Sequence, residues 1–303
     1  MKHIPVLYSE VLELLQPRPG GQYIDGTLGA GGHTKGLLEA SAPDGRALVF
    51  DRDAEAIEYA QKRLLSYGER VVFVNASYSA MSEMAAEYGF TSVEGVLLDL
   101  GLSSRQLADA GRGFSFSLEG PLDMRFDNST EENTAAELIN YADEAELAAI
   151  FRQYGEVRQS SRIARLIVAN RPFRSTTELA DIIAKDVRRG RIHSATQVFQ
   201  ALRIAVNDEL AELERGIEAA VNVLVPGGRL AIISFHSLED RIVKHRFREL
   251  SKECVCPPEQ PICTCDAKAT VKRITRSAVK SSDEEVAKNP RSRSARLRVV
   301  EKL

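Results

Sequence analysis

Three aspartates and a glycine-rich turn are the residues whose types and spacing point most directly to chemistry. The turn occupies residues 25–33, reads DGTLGAGGH and begins at Asp25. Glycine has no Cβ, so a ligand can approach such a turn closely, and a helix that follows it directs unpaired N–H groups at the ligand. Asp51 ends the next apolar segment, where a carboxylate can accept hydrogen bonds from both hydroxyls of a ribose. The spacing predicts a site for a ligand that contains a nucleoside.

The turn also indicates which nucleoside-containing ligand fits. The dinucleotide motif G-x-G-x-x-G needs a glycine at position 34, where this chain has Thr34, so the turn suits a pyrophosphate poorly. Methyltransferases place an acidic residue at the end of the first strand, beside the cationic amino-acid end of S-adenosylmethionine, and Asp25 stands there. We therefore predict S-adenosylmethionine, with NAD as the alternative and a turn without any ligand as the third interpretation.

Two further residues follow predicted strands at the same edge. Asp99 ends the apolar segment 93–98, in the crevice where α/β sheets bind ligands. It could contact the adenine side of the cofactor, accept a hydrogen bond from a substrate amine, or cap the next turn. Tyr78 follows the third strand and could cover the adenine ring, although a partly buried surface tyrosine is the alternative.

All four cysteines fall close together, as Cys254, Cys256, Cys263 and Cys265. Two close thiol pairs can supply tetrahedral ligands to a structural zinc ion, although C-x-C is tighter than the usual spacing. The alternative is a loop with reduced thiols. A disulfide framework is not expected in a chain of this size without a secretion signal.

The elements that would position these residues alternate regularly in the first hundred residues. Apolar strands are predicted at 22–25, 46–50, 71–74 and 93–98, separated by helices at 34–40, 53–65 and 79–88. Strands that alternate with helices in this way predict an α/β fold with a mostly parallel, doubly wound, Rossmann-like sheet.

After Gly101 the alternation stops for more than a hundred residues. The intervening segment shows helical periodicity near 134–141, 143–153, 158–170, 175–186, 195–206 and 208–224, and strands resume at 230–233 and 295–300. We therefore predict a core formed by residues 1–108 and 207–303. An inserted all-helical subdomain at 109–206 would recognise the substrate.

Charge is segregated along a chain whose net charge is only -3. Residues 158–203 hold ten Lys/Arg against three Asp/Glu, and residues 266–303 hold eleven against five. Such segregation can present a basic face to a polyanion, although ordinary solvated helix faces are the alternative. The N-terminus lacks the apolar segment of a signal peptide and no window is long enough to span a membrane, so we expect a cytoplasmic protein that does not contact membranes.

Several separate segments together resemble one known family. The sequence closely resembles the bacterial ribosomal RNA small subunit methyltransferase H family, and the matching segments cover the chain nearly from end to end. They are HIPVL at 3–7, the turn 25–33, DRD at 51–53, LDLGLSS at 98–104, PLDMRFD at 121–127, FQALRIAVNDEL at 199–210, SFHSLEDR at 234–241 and RSRSARLR at 291–298.

The resemblance implies a fold, an activity and a set of contacts. It implies a class I S-adenosylmethionine-dependent methyltransferase core with an inserted helical domain, an enzyme that methylates the exocyclic N4 of a cytidine in the decoding region of 16S rRNA and releases S-adenosylhomocysteine. The partner would be 16S rRNA or the small ribosomal subunit, and a homodimer is left open. The cofactor contacts would be Gly31, Gly32, His33, Asp51, Tyr78, Asp99 and Gln106, in addition to Asp25. Ala30 and Arg105 depart from residues that are frequent in the family.

The group that activates the cytosine amine is not evident in the sequence. Enzymes that act on such amines commonly use an Asn/Asp-Pro-Pro-aromatic motif after the fourth strand, and this chain has none there. We expect backbone carbonyls near 99–102, with the Asp99 carboxylate, to take that role. His236 is a candidate shuttle or orienting group and, with Arg241, could hold the target nucleotide, although Ser237 and Asp240 also fit a capping box for a helix at 238–249.

Overall fold

The structure is a computed structural model that describes residues 5–129, 134–186, 194–254, 256, 260, 264–265 and 267–303. Within these ranges the strands are β1 Gln22–Asp25, β2 Arg46–Asp51, β3 Val71–Asn75, β4 Val93–Asp99, β5 Leu224–Ser234, β6 Val271–Arg273 and β7 Arg296–Lys302. The helices are α1 Tyr8–Leu15, α2 Gly32–Ala40, α3 Ala54–Leu64, α4 Met81–Glu87, α5 Ser104–Ala108, α6 Ala135–Tyr141, α7 Glu144–Gly155, α8 Ser160–Ala169, α9 Thr176–Asp186, α10 Ser194–Asn207, α11 Glu209–Val223, α12 Ser237–Leu250 and α13 Asp283–Lys288.

The described strands form one sheet in the order β3-β2-β1-β4-β5-β7-β6. Strands β1 to β5 are parallel, whereas β7 is antiparallel to both β5 and β6. This confirms the predicted mostly parallel, doubly wound sheet. The strand order reverses on the two sides of β1, and the carboxyl ends of strands at such a switch point are where open α/β sheets bind ligands.

The sheet is buried on both faces, as the continuous apolar strands predict. In β2, Leu48 and Phe50 belong to one hydrophobic cluster, whereas Ala47 and Val49 belong to another on the opposite face. Successive side chains of a strand point to opposite faces, so this alternation means that helices cover the sheet on both sides. The sheet edge that holds Asp25, Asp51 and Asp99 is therefore fixed by packed layers.

The chain divides into two compact units, Met1–Gly101 with Leu210–Leu303 and Leu102–Glu209. The predicted insertion at 109–206 lies inside the second unit, whose described regular elements are helical. That unit has a hydrophobic core of its own, in which Leu147, Phe151, Ile163, Leu179 and Leu202 are buried. Among the described residues, every helix is too short or too polar to cross a membrane.

Candidate functional site

The turn between β1 and α2 has the close-packed geometry that its glycines predict. Gly31 precedes α2 with φ +70°, in the left-handed region that disfavours other residues. A Cβ on Gly26 would collide with the side chains of Leu98 and Tyr78. The backbone therefore passes close to β4 here, and only glycine permits it.

Asp25 is buried at the start of this turn, with 1% of its surface exposed. Its Oδ2 accepts a hydrogen bond from Thr34 Oγ1 at 2.6 Å, and its Oδ1 accepts one from the Thr27 N–H at 3.2 Å. Burial raises the pKa of the Asp25 carboxyl, and the Thr34 hydrogen bond only partly opposes this. Sequence reasoning had used Thr34 only to exclude a third glycine and had missed its role in holding Asp25.

Asp51 stands at the carboxyl end of β2 and faces the same turn. Its Oδ2 accepts the Gly29 N–H at 2.8 Å, and its Oδ1 accepts the Asp53 N–H at 2.9 Å. Burial raises the pKa of Asp51 to about 6. Each carboxylate oxygen has a second lone pair, so Asp51 can still accept hydrogen bonds from two hydroxyls of a ligand.

His33 and Asp99 form the third part of the site. His33 is 6% exposed, and its Nε2 lies 3.5 Å from Oδ2 of Asp99. Both ring nitrogens of His33 and Oδ1 of Asp99 are buried without a hydrogen-bond partner among the described residues. The Tyr8 ring stacks on His33, with 6.1 Å between ring centroids. Because buried polar atoms are almost always paired, these atoms are available for hydrogen bonds to a ligand.

The electrostatics of the site favour a cation. Burial is the largest cause of the raised pKa of both Asp25 and Asp51. The charges of Asp53 and Asp25 raise the pKa of Asp51 further. At Asp25 the charge of His33 lowers the pKa and that of Asp99 raises it by a smaller amount. Carboxylates that destabilise one another in this way are stabilised by a positive group. The same cluster would repel the pyrophosphate of a dinucleotide.

The remaining predicted cofactor residues lie in different surroundings. Gly32 begins α2, and a Cβ there would meet the ring of Pro5. The Tyr78 ring packs so closely on α11 that a side chain at Gly216 would collide with it. Gln106 belongs to the second unit, where its Oε1 accepts the Ser103 N–H at 2.9 Å in a capping box for α5.

A basic cavity of about 780 Å³ lies in the first unit at the end of β5. Phe235 lines it and also lies about 3.6 Å from where a Cβ on Gly101 would be, next to the end of β4. Its basic lining residues are Arg241, Lys244, His245, Lys280, Arg293 and Arg296. The cavity can therefore accept an anionic ligand with an apolar or aromatic part.

His236 also lines this cavity, but as the cap of α12. The prediction that Ser237 and Asp240 form the capping box is wrong: the helix is capped one residue earlier, by His236 with Glu239. Oε2 of Glu239 accepts the N–H groups of Phe235 and His236 at 2.8 and 3.2 Å, and its Oε1 lies 3.0 Å from Nε2 of His236. Asp240 instead pairs with Arg298 at 2.7 and 3.2 Å. This ion pair engages one arginine of the basic segment 266–303.

In the second unit, two of the segments that resemble the family meet at Asn207. Its Oδ1 accepts the Phe126 N–H at 2.7 Å, and its Nδ2 donates to the Met124 carbonyl at 2.7 Å. Met124 has φ +62°, so the bend is strained and Asn207 holds it in place.

Two arginines of the basic segment 158–203 are also structural, since Arg171 donates to the carbonyls of Ile139 and Ala142 and Arg203 pairs with Glu209.

The cysteines lie in the segment that follows α12. Ligand atoms of Cys254, Cys256 and Cys265 lie within 4.8 Å of one another. Cys263 lies outside the described residues.

Comparison with known proteins gives matches along the whole chain. The model of the MraW methylase family matches residues 1–303. The ribosomal RNA small subunit methyltransferase H of Geobacter sulfurreducens is 52% identical over 308 residues, which cover 99% of both chains. The protein of the same name from Geotalea daltonii is 50% identical over 309 residues, covering 100% of this chain and 99% of the relative. Among solved structures, the N-methyltransferase NodS from Bradyrhizobium japonicum aligns with a TM-score of 0.44 at 9% identity, over 97% of this chain and 93% of that one.

The family match and the two relatives confirm the resemblance predicted from the sequence. The α/β sheet described above is accordingly a class I S-adenosylmethionine-dependent methyltransferase core, and the helical insertion interrupts it between β4 and β5. With a family model and two relatives that each match the full length, the chain belongs to the MraW methylase family.

Proposed function

We propose that the protein transfers a methyl group from S-adenosylmethionine to the exocyclic N4 of a cytidine in the decoding region of small-subunit ribosomal RNA. The rRNA part of the proposal is supported by the names of the relatives at 50 and 52% identity. The choice of N4 and of the decoding region comes from the family resemblance. An enzyme with this substrate would act in the cytoplasm, where ribosomes are assembled.

The observation on which the cofactor assignment depends is the cluster of Asp25, Asp51 and Asp99 with unpaired buried polar atoms beside it. S-adenosylmethionine carries a sulfonium and an ammonium, both positive, whereas NAD carries an anionic pyrophosphate. The residues therefore fit the first and disfavour the second. We assign Asp25 to the cationic amino-acid end and Asp51 to the ribose hydroxyls.

The remaining contacts in this proposal come from the turn and its neighbours. The backbone of Gly31 and Gly32 would lie against the cofactor, His33 would donate or accept through its unpaired nitrogens, and Tyr78 would cover the adenine ring. Gln106 is assigned from the resemblance alone.

When bound, the sulfonium supplies an electrophilic methyl group, and the protein has to align the amine with it. Positioning of this kind contributes up to roughly 7–11 kcal/mol in favourable cases. The Asp99 N–H donates to Thr27 Oγ1 at 2.6 Å and fixes the backbone at the end of β4, while Oδ1 of Asp99 has no partner among the described residues. We assign that oxygen to accept a hydrogen bond from the cytosine amine. The hydrogen bond would turn the nitrogen lone pair toward the methyl group, and the Asp99 carboxylate would receive the proton that the amine loses on methyl transfer.

We assign the basic cavity to the RNA. A target base must leave its stack to reach a buried methyl group, and Phe235 offers an aromatic face between the cavity and the end of β4. The lysines and arginines of the cavity would contact phosphates. His236 would orient the nucleotide from its place at the N-terminus of α12, and no covalent cysteine intermediate is required.

Calorimetric titration with S-adenosylhomocysteine and with NADH tests the cofactor. We expect heat of binding with the first only, and binding of NADH alone would overturn the assignment. Transfer of a tritiated methyl group to small-subunit rRNA, supplied naked and as assembled subunits, then tests the reaction. A protein that binds the RNA without transferring label would be a noncatalytic RNA-binding module instead.

A salt titration tests the cavity as the RNA site. Because phosphate contacts release counterions, the logarithm of the affinity should fall steeply with the logarithm of salt concentration. The double variant Lys244→Ala, Lys280→Ala should reduce that slope by about 1.5, whereas Lys62→Ala on α3 should leave it unchanged. An unchanged slope in the double variant would remove the cavity from the proposal without affecting the cofactor assignment.

A further inference from the structure

The segment between α12 and β6 is closed at its base by backbone hydrogen bonds. The Thr270 N–H donates to the Leu250 carbonyl at 2.8 Å, and Thr270 Oγ1 donates to the same oxygen at 3.3 Å. None of the described residues between Leu250 and Thr270 belongs to a hydrophobic cluster. Apolar packing therefore does not explain why the described cysteines of the segment converge.

The spacing of the thiols is compatible with that of ligands around one metal ion. The Sγ atoms of Cys254, Cys256 and Cys265 lie within 4.8 Å of one another, and those of Cys254 and Cys265 are 3.7 Å apart. Zinc holds thiolates at about 2.3 Å in a tetrahedron, which places two sulfurs about 3.8 Å apart. A disulfide needs a separation of about 2.05 Å, so the observed distance fits metal ligands better.

Backbone N–H groups point at these sulfurs. The Cys256 N–H donates to Sγ of Cys254 at 3.4 Å. N–H groups of Thr264 and Cys265 also hydrogen-bond to Sγ of Cys256. The thiolate is the form that binds metal, and hydrogen bonds to the ligands are the usual outer layer of a metal site.

We propose that Cys254, Cys256 and Cys265 bind a structural zinc ion that closes this segment. Zinc completes its tetrahedron with a fourth donor besides these three thiolates. The role is structural because an ion bound by three thiolates of one segment would hold the two ends of that segment together, as a small hydrophobic core would. The bound ion would fix the connection from α12, which lines the basic cavity, to β6.

The first experiment measures metal in the purified full-length protein. Plasma mass spectrometry should find about one zinc per chain, reduced to near zero in Cys256→Ser and in the double variant Cys254→Ser, Cys265→Ser. Lys252→Ala, in the same segment but without a ligand atom, should retain the zinc. Zinc-free wild-type protein, or zinc retained by the double variant, would overturn the proposal.

Cobalt replacement keeps the test independent of how the variants fold. Wild-type protein stripped of metal and loaded with Co²⁺ should show the visible absorption and the sulfur-to-cobalt charge-transfer band of a tetrahedral thiolate site. Chelation should also speed trypsin cleavage at Lys252 and Lys268 severalfold. Metal-free protein in which two thiols become titratable only after reduction would show a disulfide between Cys254 and Cys265 instead and contradict the proposal.

Discussion

Two clusters of buried polar groups among the described residues differ in how they are paired. One lies around Asp25, His33 and Asp99 in the first unit, and the other around Asn207 in the second unit. Asn207 is 2% exposed, and hydrogen bonds to the backbone of Met124 and Phe126 engage both ends of its amide. His33 is buried almost as deeply, yet its ring nitrogens have no hydrogen-bond partner among the described residues. An unpaired buried polar atom costs about 1–3 kcal/mol.

We propose that the difference separates a structural cluster from a binding cluster. A fully paired group such as Asn207 stabilises one backbone conformation. Buried polar atoms without a partner lower the stability of a protein until a ligand or other group pairs with them, as is expected of functional sites. The two clusters should therefore respond to substitution in different ways.

The largest expected effect is on turnover in Asp99→Ala. Loss of the Asp99 oxygen that we assign to accept an amine hydrogen should lower methyl transfer about 10³-fold, measured as tritium incorporation into small-subunit rRNA. Binding of S-adenosylhomocysteine should change much less. The exposed carboxylate variant Asp44→Ala should keep full activity, and near-normal turnover in Asp99→Ala would remove Asp99 from the reaction.

Cofactor affinity should respond to Asp25→Asn. The substitution keeps the size of the side chain but removes its charge, so the Kd for S-adenosylhomocysteine should rise about 100-fold, or about 2.7 kcal/mol. Calorimetry measures this directly. Asn207→Ala serves as the matched control, because a change at the structural cluster should leave the Kd within about twofold of wild type. Equal effects of the two substitutions would erase the distinction between the clusters.

Stability should respond in the opposite order. Asn207→Ala leaves the Phe126 N–H and the Met124 carbonyl without partners, so the free energy of unfolding should fall by about 2–3 kcal/mol. Urea denaturation followed by circular dichroism measures the loss. Asn207→Asp keeps the acceptor for the Phe126 N–H and loses the donor to the Met124 carbonyl, so its free energy of unfolding should lie between those of the wild type and Asn207→Ala. A loss below about 0.5 kcal/mol in Asn207→Ala would show that the bend does not need this side chain.

The smallest expected effect is on pH dependence, through Asp51. Its pKa is raised to about 6, and it accepts ribose hydroxyls best when ionised, so the affinity for S-adenosylhomocysteine should fall about tenfold as the pH drops from 7 to 5. Stability should change with the opposite sign. The folded protein holds this proton more tightly than the unfolded chain, so the contribution of Asp51 to stability is greatest at low pH and declines as the pH rises through about 6.

Calorimetric titration at several pH values measures the effect of Asp51 on affinity separately from its effect on stability. Asp51→Asn should weaken binding at neutral pH and flatten the part of the affinity profile centred near pH 6. A wild-type affinity that stays constant between pH 5 and 7 would contradict the assignment of Asp51 to the ribose.

The sequence predicted the sheet and most helices because their signals are local. Apolar runs identified β1 to β4, and helical periodicity identified the helices of the insertion. Helix α1 was missed, although Tyr8 at its start stacks on His33, because eight residues without a clear cap give little periodicity. The strand β6 has only three residues and also gives little periodicity, and the helix α13, although Ser282 caps it, was missed because it lies inside a polar stretch.

The site shows the same limit. Asp25, Asp51 and Asp99 could be predicted because each follows an apolar strand, and parallel strands bring their carboxyl ends to one edge. Thr34 was identified without its hydrogen bond to Asp25. The cap of α12 was assigned to Ser237 and Asp240 because both are common capping residues, but Asp240 pairs with Arg298, 58 positions away. A contact of that separation has no local pattern from which it could be read.

The account is tested most directly by identifying the methylated nucleoside. Small-subunit rRNA treated with the protein and S-adenosylmethionine, digested to nucleosides and resolved by mass spectrometry against standards, should contain N4-methylcytidine, absent when Asp99→Ala replaces the wild-type protein. A product methylated at C5 of cytosine, at a ribose hydroxyl or on another base would contradict the proposed alignment of the amine with the methyl group at the end of β4.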